Sequence, residues 1–182
     1  MNKQKNGWLD WIKALLIALG LAFIVRTFFF TPIIVDGPSM LPTLHDRDQM
    51  IVNKFSYRIS EPKRFDIVVF HASEQKDFIK RVIGLPGEHI AFKDDVLYVN
   101  GKEIDEDFLH SNSVLQPFTE DFTLEELPGN FETVPDDYYL VLGDNRENSV
   151  DSRSLGLIPK EQIVGKTSII YWPMNRMKVL GE

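Results

Sequence analysis

Ser39 and Lys80 are the two residues of this 182-residue chain whose types and settings suit proton-transfer chemistry. Ser39 sits in Val35-Asp36-Gly37-Pro38-Ser39-Met40-Leu41-Pro42-Thr43-Leu44. Proline fixes φ and removes a donor, and glycine lets backbone pass close to another group. The segment therefore reads as a rigid extended loop that holds one hydroxyl in a fixed direction. A serine is a weak nucleophile until a base takes its proton. Lys80 lies in Asp77-Phe78-Ile79-Lys80-Arg81-Val82-Ile83, a predicted strand closed by the turn Gly84-Leu85-Pro86-Gly87. Alternation puts Phe78, Lys80 and Val82 on one face and Ile79, Arg81 and Ile83 on the other. One of the two cations is expected to be buried. Burial penalises the ammonium, and a fall in pKa from about 10.4 to roughly 7 or 8 would make the amine a usable general base. That fall represents roughly 3 to 5 kcal/mol. Arg81 cannot give up its proton, and Asp144 is its candidate partner. The competing readings are a plain loop hydroxyl and a snorkelling edge-strand lysine.

The segment Gly143-Asp144-Asn145-Arg146-Glu147-Asn148-Ser149-Val150-Asp151-Ser152-Arg153 concentrates polar groups after a predicted strand. It reads either as a solvated turn or as a buried polar scaffold. In the second reading Ser149 orients the neutral lysine toward Ser39, and Asp151 and Arg153 pair along an extended strand. His45, His71, His89 and His110 show no recognisable arrangement with an aspartate, and no H-E-x-x-H pattern occurs. The absence of cysteine excludes disulfides, a thiol nucleophile and thiolate metal sites.

The elements that must position these groups follow from the rest of the chain. Ala14 to Val25 is apolar without a break. The longer window from Trp8 to Phe30 can span a bilayer if Lys13 and Arg26 snorkel, with Trp8, Trp11 and Phe28 to Phe30 near the two interfaces. A cleaved signal peptide needs a small-x-small site, and Arg26-Thr27-Phe28-Phe29-Phe30 offers none. A buried core helix would not carry lysines on one side and aromatic residues on the other. The expectation is an uncleaved anchor over residues 8–28, with 1–7 cytoplasmic and 29–182 an extracytoplasmic domain, because Lys3, Lys5 and Lys13 precede the run. Lys3, Lys5, Lys13 and Arg26 against Asp10 give residues 1–26 a net charge of +3, leaving −10 of the total −7 on the remainder. So acidic a body is unsuited to nucleic acid.

Beyond the anchor, predicted strands cover Gln49–Asn53, Asp66–His71, Asp77–Ile83, Tyr138–Leu142 and Thr167–Pro173, with Ile90–Phe92 and Val96–Val99 as a hairpin. Asn100-Gly101 reverses the chain again toward Lys102-Glu103-Ile104. Residues 105–137 read as an acidic surface excursion broken by Pro117, Pro128 and Pro135. No sustained 3.6 period appears after the anchor, so the fold class is mainly β, an antiparallel domain behind one N-terminal helix.

Taken together, four stretches resemble the bacterial type I signal peptidases, membrane-anchored Ser/Lys proteases that remove signal peptides. They are Gly37-Pro38-Ser39-Met40-Leu41-Pro42-Thr43-Leu44, Arg64-Phe65-Asp66-Ile67-Val68-Val69-Phe70, the run from Asp77 to Glu88, and the polar segment from Gly143 to Arg153. The length and single anchor are similar to the compact Gram-positive-type members. The resemblance implies a coiled antiparallel sheet, Ser39 as nucleophile, Lys80 as general base and Ser149 as the hydroxyl orienting it. It assigns supporting roles to Asp144, Asp151, Arg81 and Arg153, and substrate contact to Gly37, Pro38 and Met40. It also implies no cofactor or metal, signal peptides of exported preproteins as substrates, and membrane lipid and the export translocon as neighbours. The chain departs from some relatives at Gly37, where a serine hydroxyl would add to the oxyanion hole. A dedicated processing peptidase for one exported protein and a tethered binding module on an inactive fold are the alternatives.

Overall fold

A computed structural model describes residues 7–110 and 118–180. Lys3, Lys5 and Pro117 lie outside the described residues, as do the side chains of Phe28 and His110. The first element of the described residues is α1 (Gly7–Phe28). Leu15, Leu16, Ile17 and Leu19 are all exposed. Consecutive helical residues point about 100° apart, so none of these faces is buried against the body. Among the described residues no helix is long and apolar enough to cross a membrane.

The strands in chain order are β1 (Phe30–Ile34), β2 (Gln49–Asn53), β3 (Ile67–Ser73), β4 (Lys76–Gly84), β5 (Ile90–Lys93) and β6 (Val96–Val99). They continue with β7 (Lys102–Ile104), β8 (Phe122–Thr123), β9 (Tyr138–Leu142), β10 (Ile158–Pro159), β11 (Ile163–Trp172) and β12 (Lys178–Val179). The larger sheet runs β1-β2-β11-β3-β4-β9-β10, with β12 on β11, and the smaller runs β7-β6-β5-β8. Every pairing is antiparallel, so the mainly β expectation holds. β1 was not foreseen. Pro32 interrupts its pattern, and a proline without a donor is tolerated because β1 is an edge strand. The small sheet turns through Asp94-Asp95 and Asn100-Gly101, two-residue loops with φ positive at every position, the geometry of tight primed turns.

β4 is the organising strand. It pairs with β3 on one side and β9 on the other, and its side chains reach three apolar clusters. Val82 joins Val68, Phe70, Tyr139, Val141 and Ile158. Ile83 joins the core shared with the small sheet, including Phe92, Leu124, Leu140 and Leu142. Ile79 packs against the third cluster, which holds Val35, Met40, Leu44 and Met50. Lys80 and Arg81 are both buried, not one of the two: Lys80 is 2% and Arg81 6% exposed.

The reading of residues 105–137 as a surface excursion needs correction. Glu106, Leu109, Thr119, Leu124, Leu127 and Val134 are buried, and β8 adds Phe122 and Thr123 to the small sheet beside β5. The prolines and acidic residues obscured short apolar contributions separated by polar turns.

Candidate active site

The serine loop connects β1 to β2 and is closed at its base. Val35 N–H donates to Asp48 O at 2.8 Å, and Arg47 N–H to Val35 O at 2.9 Å. Buried Met40 and Leu44 pin the loop to the core. Met40 is 1% exposed, so its side chain is a core anchor and not the substrate contact expected of it. An apolar side chain gains more from the core below the loop than from the solvent above it. Gly37 is half-buried and Pro38 exposed, so both remain on the surface beside Ser39. Gly37 has φ +92°, a conformation that costs glycine little and strains other residues. A serine at this position would be strained by that backbone. Its N–H donates to Asp46 Oδ1 at 3.0 Å.

Lys80 comes from the middle of β4, where it is paired with Val68. Its Nζ lies 2.7 Å from Ser39 Oγ and donates to Ile79 O at 3.0 Å. As an ammonium it donates to the serine oxygen; as a neutral amine it accepts the serine proton. Burial pushes the amine down from 10.5 to about 8, against the opposing pull of the Asp151 and Asp144 carboxylates. The Phe78 ring, 5.1 Å from Nζ, forms part of its wall. Two residues distant in sequence thus present a hydroxyl and a partly neutral base in contact.

Arg81, on the other face of β4, reaches the segment that follows β9. Its Nε and NH2 donate to Asp144 Oδ1 and Oδ2 at 2.8 and 2.6 Å, the pairing anticipated from sequence. Asp151 and Arg153 also pair, with Nε–Oδ1 2.9 Å and NH2–Oδ2 2.8 Å. They do so around a helix start and not along a strand. Ser152–Leu155 is a helical turn capped by Asp151, which also accepts Gly143 N–H at 3.0 Å. Burial alone would raise the Asp151 pKa, but Arg153, Gly143 and Ser149 outweigh it and hold the carboxyl below its ordinary value.

Ser149 Oγ is buried and makes no hydrogen bond of ordinary geometry among the described residues; the bonds of Lys80 go to Ser39 and Ile79. The hydroxyl is nevertheless part of the site. A Cβ added to Gly143 would meet Ser149 Oγ at 2.2 Å and Ser39 O at 2.5 Å. Gly143 is therefore required by space, since it lets two active-site segments meet.

Three supports were missed. Buried Arg146 donates to Gly143 O at 3.0 Å, Thr119 Oγ1 at 2.8 Å, and Glu106 through NH1 at 3.0 Å and NH2 at 2.6 Å. Arg176 grips Asp48 through Nε and NH2, both at 2.9 Å, at the base of the serine loop. Asn145 N–H donates to Ser39 O at 3.1 Å. The charges of Arg146 and Glu106 were visible in the sequence, but their separation gave no sign of pairing. His71 and Asp77 do form a pair, Nδ1 to Oδ1 2.6 Å, on the exposed hairpin end of β3 and β4. The hydroxyl of Ser39 is served by Lys80, not by that histidine.

Comparison with known proteins agrees with this arrangement. Residues 8–172 match the family described as signal peptidase, peptidase S26. The chain is 47% identical over 180 residues to a signal peptidase I of Bacillus caldolyticus, covering 96% of each chain. It is 42% identical over 181 residues to signal peptidase IB of Staphylococcus aureus, covering 96% of this chain and 95% of that one. A crystal structure of a signal peptidase I from Enterococcus faecalis V583 superposes with a TM-score of 0.52 at 42% identity, covering 59% of this chain and 97% of the other. A serine and a buried lysine in contact, on a mainly β frame matched over nearly its whole length, place the chain in the signal peptidase I family, peptidase S26.

Proposed function

We propose that this protein is a membrane-bound serine endopeptidase that removes N-terminal signal peptides from exported preproteins, with Ser39 as nucleophile and Lys80 as general base. The observation that carries the reading is the 2.7 Å approach of Lys80 Nζ to Ser39 Oγ in a site that raises the neutral share of the amine. Neutral Lys80 takes the hydroxyl proton as Oγ bonds to the scissile carbonyl carbon, and the carbonyl π pair moves onto oxygen. The oxyanion rests on the Ser39 N–H. Collapse of the intermediate breaks the C–N bond, and the Lys80 ammonium gives its proton to the leaving amine. Lys80 then takes a proton from water as its oxygen bonds to the acyl carbon; the C–Oγ bond breaks, and the Lys80 proton passes to Ser39 Oγ, restoring the hydroxyl and the neutral amine.

Asp144, Asp151, Arg81 and Arg153 act as a rigid frame behind the dyad, and Ser149 supplies a buried hydroxyl beside it. The substrate lies as an extended segment along Gly37 and Pro38. Family resemblance supplies shallow pockets for small side chains one and three residues before the cut. Helix α1 serves as the anchor. Its exposed apolar side chains, Leu15, Leu16, Ile17 and Leu19 among them, favour lipid over water. The lysines that precede the apolar run support a cytoplasmic N-terminal side, with the catalytic domain outside, near the translocon.

The test is cleavage of a preprotein by the detergent-solubilised full chain. Ser39→Ala and Lys80→Met should each lower the rate on the order of 10³-fold or more while retaining the fold. Wild-type activity in either variant would remove that residue from the mechanism.

A further inference from the structure

Asn145 takes no step in the mechanism above, yet it touches the backbone on both sides of the nucleophile. Its N–H donates to Ser39 O at 3.1 Å, and its side-chain Nδ2 donates to Pro38 O at 3.1 Å. The second bond bears on catalysis. Pro38 C=O and Ser39 N–H belong to one planar peptide, in which a trans bond points them in opposite directions. Fixing the oxygen therefore fixes the direction of the N–H. That N–H makes no hydrogen bond among the described residues, which leaves it free to receive a developing oxyanion. Leu41 N–H also donates to Pro38 O, at 3.0 Å, closing the turn from within the loop. Asn145 adds the only side-chain bond to that carbonyl among the described residues, and it comes from the segment that carries Asp144 and Ser149. Proline fixes φ at 38, but Pro38 ψ and Ser39 φ stay free to tilt the plane.

We infer that Asn145 is a positioning residue whose amide, by holding the Pro38 carbonyl, aims the Ser39 N–H at the oxyanion. The inference rests on the reading of Ser39 as nucleophile. Its experiment uses the full chain in detergent, a quenched-fluorescence peptide containing a cleavage site, a peptide aldehyde and the corresponding peptide alcohol. In the aldehyde adduct Ser39 Oγ bonds to the carbonyl carbon, the π pair moves to oxygen and the proton goes to Lys80, so its affinity reports the oxyanion site. The alcohol reports ordinary binding.

Asn145→Leu should lower kcat roughly three- to tenfold, the loss expected for one hydrogen bond of ordinary strength. It should weaken the aldehyde by the same factor and leave KM, alcohol affinity, the acid limb of the pH profile and the melting temperature in place. Asn145→Gln, which keeps the amide donor, should recover part of the loss. The inference is overturned by an unchanged kcat, by equal weakening of aldehyde and alcohol, or by a shifted acid limb that accounts for the rate. Ser39→Ala run alongside separates the two ideas. If it abolishes cleavage while Asn145→Leu behaves as wild type, only the role of Asn145 fails; if it still cleaves, the underlying reading fails.

Discussion

Burial of Lys80 should appear in both the rate and the stability of the protein as pH changes. The amine falls from 10.5 to about 8 chiefly through desolvation. At pH 7 about one amine in ten is then neutral, roughly 300-fold more than at the ordinary value. The expected kcat/KM climbs with pH to a midpoint near 8 and levels above it. Stability should respond in the same direction. Between pH 8 and 10.5 the unfolded chain binds the lysine proton and the folded chain has largely lost it, so stability rises with pH across that window. Below pH 8 the folded state holds a buried cation at a cost of about 3 kcal/mol. Lys80→Met removes that cost and loses bonds to Ser39 Oγ and Ile79 O of about 1 kcal/mol each. The variant should therefore be inactive yet about 1 kcal/mol more stable at pH 7, with the advantage gone by pH 10.5. Initial rates at low substrate from pH 6 to 10, paired with melting curves of both proteins over the same range, measure this. An acid limb centred near 10.5, or a Lys80→Met protein destabilised at pH 7 by as much as at pH 10.5, would refute the desolvated-amine account.

Two further substitutions probe the frame. Gly143→Ala places a carbon where Ser149 Oγ and Ser39 O stand at 2.2 and 2.5 Å, and the forced shift should cost about 10²-fold in kcat; peptide cleavage near the wild-type rate would contradict the steric argument. Glu106→Leu leaves the Arg146 guanidinium buried without its carboxylate and should destabilise by about 3 to 5 kcal/mol, read by denaturant unfolding, where an unchanged midpoint would mean that the pair contributes little.

Much of the chemistry was legible in local residue types. The proline-framed Ser39, the apolar neighbours of Lys80 and the polar run from Gly143 to Arg153 each announce themselves within a dozen residues. Strand periodicity and the Asn100-Gly101 turn were equally readable, because pleat and φ preferences act over a few residues. Pro32 hid an edge strand, and prolines between 105 and 137 hid core residues, since a local breaker says nothing about whether its neighbours are buried.

Sequence alone determined which groups are able to give or take a proton, and that the chain after α1 builds from short antiparallel strands. Tertiary structure decided their partners. It set Lys80 against Ser39, coupled Arg146 to Glu106 and Arg176 to Asp48, and turned Met40 into the core. Hydrogen bonds and desolvation act over a few ångströms of space, and only the folded chain determines which residues lie within that reach.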